Sequence, residues 1–172
     1  MQSNETGGKM HRVVPPTITG GIMSKITLVK IDESNFIVAF NLKLNDGQEK
    51  FVSHPIRSLA QAYVYYNQCC PFGIYLDDKM IGYVMVIYDY DMEEYNIWHM
   101  MIDREYQHKG YGQMAMEKCL SYIKTKPFGP SCKVVLTCNK DNFSAMHLYG
   151  KFGFSETGNI DDNEIELALM ME

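Results

Sequence analysis

Apolar and polar positions alternate from Ile26 to Ile31 (ITLVKI), the period-two pattern of a strand with one buried face. Phe36, Phe40 and Leu44 then recur at helical spacing, and the stretch from Ser58 to Tyr66 is rich in Ala and Tyr. The pattern predicts two helices, over 33–44 and 58–66, flanking a turn at Asn45-Asp46-Gly47. The period shortens again over 72–76, 79–89 and 93–102, three β-rich runs separated by hairpin-sized gaps at Asp77-Asp78 and Tyr90-Asp91-Met92. After Gly112, Ala115, Cys119 and Tyr122 form a stripe beside Met116, Leu120 and Ile123, an amphipathic helix closed by Pro127. Lys133 to Cys138 (KVVLTC) reads as a buried strand. In the helix that follows, Ala145, Leu148, Tyr149 and Phe152 share a face, Asn142 is the N-cap and Gly153 the left-handed terminator. Two final strands, 154–158 and 164–171, pair around Asp161-Asp162-Asn163.

The predicted order is strand, two helices, three strands, helix, strand, helix, two strands. That is a mixed α+β sheet with helices on its faces, not a βαβα alternation. Residues 1–22 mix Gly, Pro, Ser and Thr without periodicity and precede a second methionine, Met23; they are expected to be a leader or expression-derived segment, with residues 23–172 forming a single domain.

Hydrophobic residues at 46% and charged residues at 22% exclude a disordered chain, and no apolar run approaches the ~18 residues of a membrane span. A formal net charge of −5 argues against a nucleic-acid partner and fits a small cationic one. The five cysteines are odd in number and show no CxxC spacing, so reduced buried thiols and a cytoplasmic location are expected. The five histidines are scattered, which gives no metal site.

Candidate chemistry enters at Gln107-His108-Lys109-Gly110-Tyr111-Gly112, between a strand and a helix. Glycine-freed backbone amides and an unsatisfied helix N-terminus form a site for a phosphate group. GYGQMA matches the GxGxxA dinucleotide fingerprint, but the strands before it run in hairpin order and the next acidic candidate, Asp141, lies too far along the chain. A Walker A loop would need Lys-Ser/Thr where Gln113-Met114 stands. An ordinary strand-to-helix turn is the remaining reading.

Gln107-x-x-Gly110-x-Gly112 following MMIDREY, with Asn142-x-x-Ala145-x-x-Leu148-Tyr149-x-x-x-Gly153-Phe154 about thirty residues later, resembles the acetyl-CoA-binding core of the GCN5-related N-acetyltransferase (GNAT) family. The resemblance implies a GNAT fold: a central, mostly antiparallel twisted sheet of about seven strands, with a splayed fourth and fifth pair, flanked by about four helices. It also implies acetyl-CoA as acetyl donor. The strand ending Met100-Met101-Ile102 would bond the pantetheine arm and polarise the thioester carbonyl, and the amides from His108 to Gln113, Lys109 and Tyr111 included, would hold the pyrophosphate. Gln107 would open the loop without the charge of the family's alternative Arg. Asn142 would contact pantetheine, and Tyr149 would be the general acid that protonates the departing sulfur.

Transfer to an amine also requires a base, because an alkyl ammonium has a pKa near that of lysine, about 10.4. Strand alternation groups Glu94, Asn96, Trp98 and Met100 on one face and Tyr95, Ile97, His99 and Met101 on the other. Glu94 is the first candidate base and His99 the second. Asp89, Asp91, Glu93 and Glu94 cluster at one hairpin, while Glu33, Asp46 and Glu49 lie in the helical region that roofs the acceptor site in this family. Spaced carboxylates complement a polyamine, and Tyr63, Tyr65, Tyr66, Tyr88 and Trp98 could line its methylenes. Solvated surface acids are the plainer reading of the same hairpin. The stretches NFIVAFNLKLNDGQEKFV, PFGIY and IWHMMID resemble the bacterial spermine/spermidine N-acetyltransferase branch. The resemblance thus implies polyamine acetylation, with Glu49, Asp89, Asp91, Glu93 and Trp98 binding the amine, and a homodimer by analogy. A different amine (a protein N-terminus, a ribosomal protein or an aminoglycoside) and a non-catalytic acyl-CoA sensor are the alternatives.

Overall fold

The computed structural model describes residues 25–172; the segment 1–22, read above as a leader, lies outside the described residues. Seven strands form one sheet: β1 (Ile26–Lys30), β2 (Cys69–Leu76), β3 (Lys79–Asp89), β4 (Glu94–Ile102), β5 (Lys133–Asn139), β6 (Ser155–Asp161) and β7 (Glu164–Met170). Four helices accompany them: α1 (Phe36–Phe40), α2 (Pro55–Val64), α3 (Tyr111–Ile123) and α4 (Phe143–Lys151). The strand order is β1-β2-β3-β4-β5-β7-β6, antiparallel throughout except for the parallel β4/β5 pair. This is the mixed sheet the period changes predicted, with a GNAT-type splay in it.

The β-rich sheet has a hydrophobic layer on each face. On one, Ala115, Met116, Cys119 and Ile123 of α3 bury fully against Val84, Val86, Tyr95 and Ile97, with Tyr149 of α4 and the Phe152 that caps it at the margin. On the other, Ala39 of α1 and Ala62 of α2 pack with Tyr83, Met85, Ile87 and Met101. Burying each large apolar side chain contributes about 1.5–3 kcal/mol. All five cysteines are unpaired, four of them buried, and burial pushes the Cys119 thiol up to about 12.

Several boundaries differ from the sequence pattern, and three of the differences have a clear local reason. α1 is one turn and a half rather than the predicted 33–44. Asp32 and Asn35 bind backbone amides before it, and beyond Asn41 the Lys43 amide donates to Asp103 Oδ2 at 2.8 Å while its carbonyl accepts from the Arg104 amide. Tertiary hydrogen bonds thus outcompete a helix continuation. α2 starts at Pro55, not Ser58: His54 Nδ1 accepts from the Ile56 amide and Pro55 sits at the first helical position, where its missing N–H costs nothing. β2 runs through Pro71 to Cys69 because β1 pairs with β2 only from Phe72 onward, so proline's missing donor breaks no ladder bond.

Candidate active site

β4 and β5 pair only at Tyr95↔Val134 and Asn96↔Val135, then diverge. The divergence opens a cleft of about 330 Å³ whose walls are Ile97 and His99–Ile102 of β4, Thr137–Asn139 of β5, the N-terminus of α3, the inner face of α4, and Leu44, Gln48, Phe51 and Val52 of the segment before α2. A bulge shapes the β4 wall. Met85 faces Trp98 and Tyr83 faces Met101, so His99 and Met100 together oppose Val84, and His99 takes φ +51°. The bulge overturns the alternation expected from the sequence. Trp98 and Met101 now lie with the α1/α2 layer, while Met100 and Ile102 rejoin Tyr95 and Ile97 in the α3 layer. Period-two reading fails here because one extra residue reverses every side chain that follows it.

The glycine loop presents backbone donors to the cleft. Gly110 caps α3 in the left-handed region at φ +83°, and His108 precedes it at φ +59°. The amides of His108, Lys109, Gly110, Tyr111 and Gly112 make no backbone hydrogen bond among the described residues, whereas Gln113 and Met114 already donate to the Gly110 carbonyl. Five free amides at a positive helix end suit a pyrophosphate, and the run is one shorter than the sequence suggested. His108, Gly110, Gly112 and Gln113 line the cleft. Lys109 and Tyr111 do not: the Lys109 ammonium donates to the Glu105 carbonyl, and Tyr111 packs in the core layer beside Tyr106.

Gln107, expected among the cofactor ligands, lines the cleft and is also hydrogen-bonded within the protein. Its Nε2 donates to the Ile102 carbonyl and to Gln48 Oε1, both at 2.9 Å, and its Oε1 accepts from Asn45 and Gln48. The side chain therefore ties the phosphate loop to the segment that walls the opposite side of the cleft. Gln48, absent from the sequence expectation, lines the cleft from that segment.

Asn142 caps α4 by accepting from the Ala145 amide at 3.2 Å and lines the cleft, as do Met100, Met101 and Ile102. Two turns on, Tyr149 lines the same cleft; burial pushes its phenol well above the usual tyrosine range, so it keeps its proton at neutral pH. Cys138 borders the cleft too, and burial pushes its thiol up to about 11, which leaves little thiolate. His99 faces in from the bulge, stacked on Trp98 with its Nδ1 2.8 Å from Ser58 Oγ; burial, then the nearby Arg57, lowers its pKa below the ordinary value, keeping the imidazole neutral.

The acidic residues expected at the acceptor end are mostly elsewhere. Glu94 is buried at the opposite end of β4, bound to Lys133 at 2.6 Å, and does not line the cleft. Asp89 Oδ1 accepts from the amides of Asp91 and Met92, so the Asp89–Glu93 cluster builds its own hairpin. Six residues of strand, about 20 Å, separate that hairpin's end from Met100. Trp98 is half-buried against Tyr65. Tyr63 and Tyr66 project into solvent, and Tyr88 lies in the core. Of the expected acids only Glu49 lines a cleft, an outer one of about 700 Å³ continuous with the first through Leu44, Phe51, Val52 and Met101. Lys43, Lys50, Arg57, Arg104 and Glu164 share that outer cleft.

Residues 39–154 match the model of the acetyltransferase (GNAT) family. The chain is 25% identical over 147 residues to the spermine/spermidine N(1)-acetyltransferase of Bacillus subtilis (strain 168), covering 80% of this chain and 93% of that protein. Among solved structures it resembles a spermidine N-acetyltransferase from Vibrio cholerae in complex with CoA and spermine, with a TM-score of 0.68 and 21% identity over 85% of this chain and 95% of the other. It also resembles the ribosomal-protein-S18-alanine N-acetyltransferase from Escherichia coli, with a TM-score of 0.63 and 18% identity over 86% and 96% of the two chains. The two structural likenesses establish a shared fold.

Proposed function

Since this chain belongs to the GNAT family of acetyl-CoA-dependent N-acetyltransferases, we propose that it acetylates a primary amine of a small polyamine of the spermine and spermidine class, by direct transfer in a ternary complex. One observation carries the reading: the opened β4 edge, the free amides of the glycine loop and the protonated Tyr149 converge on a single cleft. Bound there, acetyl-CoA supplies the acetyl group as a thioester and leaves as a thiol.

The chain's own residues do the rest. The amides of His108 to Gly112 and the α3 N-terminus hold the pyrophosphate without a cationic side chain. The unpaired edge of β4 at Met100 and Met101 bonds the pantetheine arm, and an amide there polarises the thioester carbonyl. His99 replaces Glu94 as the base: it lines the cleft and is neutral, whereas Glu94 is held by Lys133. The ammonium proton passes to His99, the freed nitrogen attacks the carbonyl carbon, the C–S bond of the tetrahedral adduct breaks as Tyr149 gives its proton to the departing sulfur, the nitrogen's second proton restores the Tyr149 phenol, and His99 releases its proton to water.

The polyamine acceptor is supported by the names of the Bacillus relatives, with Glu49 and Glu164 as counter-charges in the outer cleft. A second reading has its own observation. Lys43, Lys50, Arg57 and Arg104 in that cleft suit an amine carrying an anionic group, such as a peptide N-terminus. Thiol release from acetyl-CoA with spermine, spermidine, putrescine, an aminoglycoside and an acidic N-terminal peptide separates the readings. Turnover confined to polyamines is expected; turnover confined to the peptide assigns the outer cleft to an anion. A homodimer, also part of the proposal, is read by sedimentation equilibrium.

A further inference from the structure

Ser58 is a polar side chain with no exposed surface, deep in a helix whose other buried positions are Pro55 and Ala62. A buried hydroxyl costs free energy unless it is bonded, and this one bonds across the fold, to a histidine 41 residues away at the bulge that shapes the cleft. Below it lies the buried hydroxyl of Tyr83, whose polar neighbour is Ser58, although the two do not reach good hydrogen-bond geometry. His99 is held on three sides: by its left-handed backbone, by the Trp98 ring at 5.5 Å, and by Ser58 at Nδ1. Nε2 makes no hydrogen bond among the described residues.

We propose that Ser58 is the positioning residue of the transfer reaction, accepting a hydrogen bond from His99 Nδ1–H so that Nε2 presents its lone pair to the acceptor ammonium. The inference rests on the reading of His99 as base. When Nε2 takes the ammonium proton the imidazole becomes a cation with two donors, and the Nδ1–H bond to Ser58 is retained and strengthened by the charge. A neutral hydroxyl orients the ring without attracting protons to it, as a carboxylate would. The ring therefore stays unprotonated at neutral pH, in a setting where Arg57 of α2 is its charged neighbour, Lys151 of α4 also lines the cleft, and Tyr83 of β3, the polar neighbour of Ser58, keeps its proton.

The test is the side-chain nitrogen spectrum of His99 in the ¹⁵N-labelled full-length protein above its titration, in wild type and in Ser58→Ala and Ser58→Thr. Wild type is expected to show a pyrrole-like Nδ1 and a pyridine-like Nε2. Ser58→Ala is expected to mix the tautomers and lower kcat about 10- to 100-fold at unchanged acetyl-CoA affinity, and Ser58→Thr to restore both. A protonated Nε2 in wild type, or a tautomer indifferent to Ser58→Ala, overturns the inference. A tautomer that responds while kcat does not overturns the assignment of His99 as base instead. Thermal unfolding of the three proteins separates these results from a folding defect.

Discussion

Tyr149 and Asn142 sit two turns apart on one short helix, and their roles follow from that spacing together with burial. With its phenol protonated in the cleft, Tyr149→Phe is expected to lower kcat by about 10²-fold while the dissociation constant for acetyl-CoA stays within twofold, read by steady-state kinetics and titration calorimetry. His99 sets the pH limb. Its folded pKa lies below the ordinary 6.5 of the unfolded chain, so activity is expected to fall only below that value. The same shift makes the unfolded chain the better proton binder there: stability is full above about 6.5 and declines as pH falls through the folded value. At Gly110 the requirement is conformational, since a Cβ would meet nothing within 4 Å but φ is +83°. Gly110→Ala is expected to cost about 1–2 kcal/mol in chemical denaturation and to weaken CoA binding. The left-handed Gly110 and the Asn142 cap were legible because their conformations depend on near neighbours in the chain. Ser58 and Gln48 were not, because each acts through a partner 41 or 59 residues away.

Between elements, the decisive features are one bulge and one side-chain bridge. Strand and helix periods located every strand of the sheet and all four helices, yet alternation assigned the faces of β4 wrongly from His99 onward, and no local pattern announces an added residue. α1 was overextended for a similar reason: its sequence keeps helical spacing to Leu44, but Asp103 captures the chain at Lys43. The Gln107–Gln48–Asn45 bridge couples the glycine loop to the opposite wall of the cleft. Gln48→Ala is expected to raise KM for the amine and for acetyl-CoA together, severalfold each, with little change in the melting temperature; a rise confined to one substrate would mean that the two walls move independently. α3 is the stiff element beneath the loop. Ile123→Ala, removing a fully buried side chain at its end, is expected to lower unfolding free energy by about 2–5 kcal/mol.

At the scale of the molecule, charge is distributed against the simplest sequence expectation. The net charge of −5 resides partly in a hairpin at the wrong end of β4, while the outer cleft mixes Glu49 and Glu164 with four cations. The acids looked like a polyamine site because sequence proximity groups residues that the length of a strand then carries away from the cleft. The fold was therefore legible in the sequence, whereas the grouping of the acids was not. No helix among the described residues is long and apolar enough to cross a membrane. Within the cleft burial holds the Cys138 thiol protonated and makes it a poor acetyl carrier, which supports the proposed direct transfer in a ternary complex. Initial rates of thiol release, measured while acetyl-CoA and spermine are varied against each other, test this account most directly. Double-reciprocal lines that intersect, with saturation by spermine, are the predicted result. Parallel lines with acetate left on the protein, or no spermine-dependent thiol release at any concentration, would contradict it.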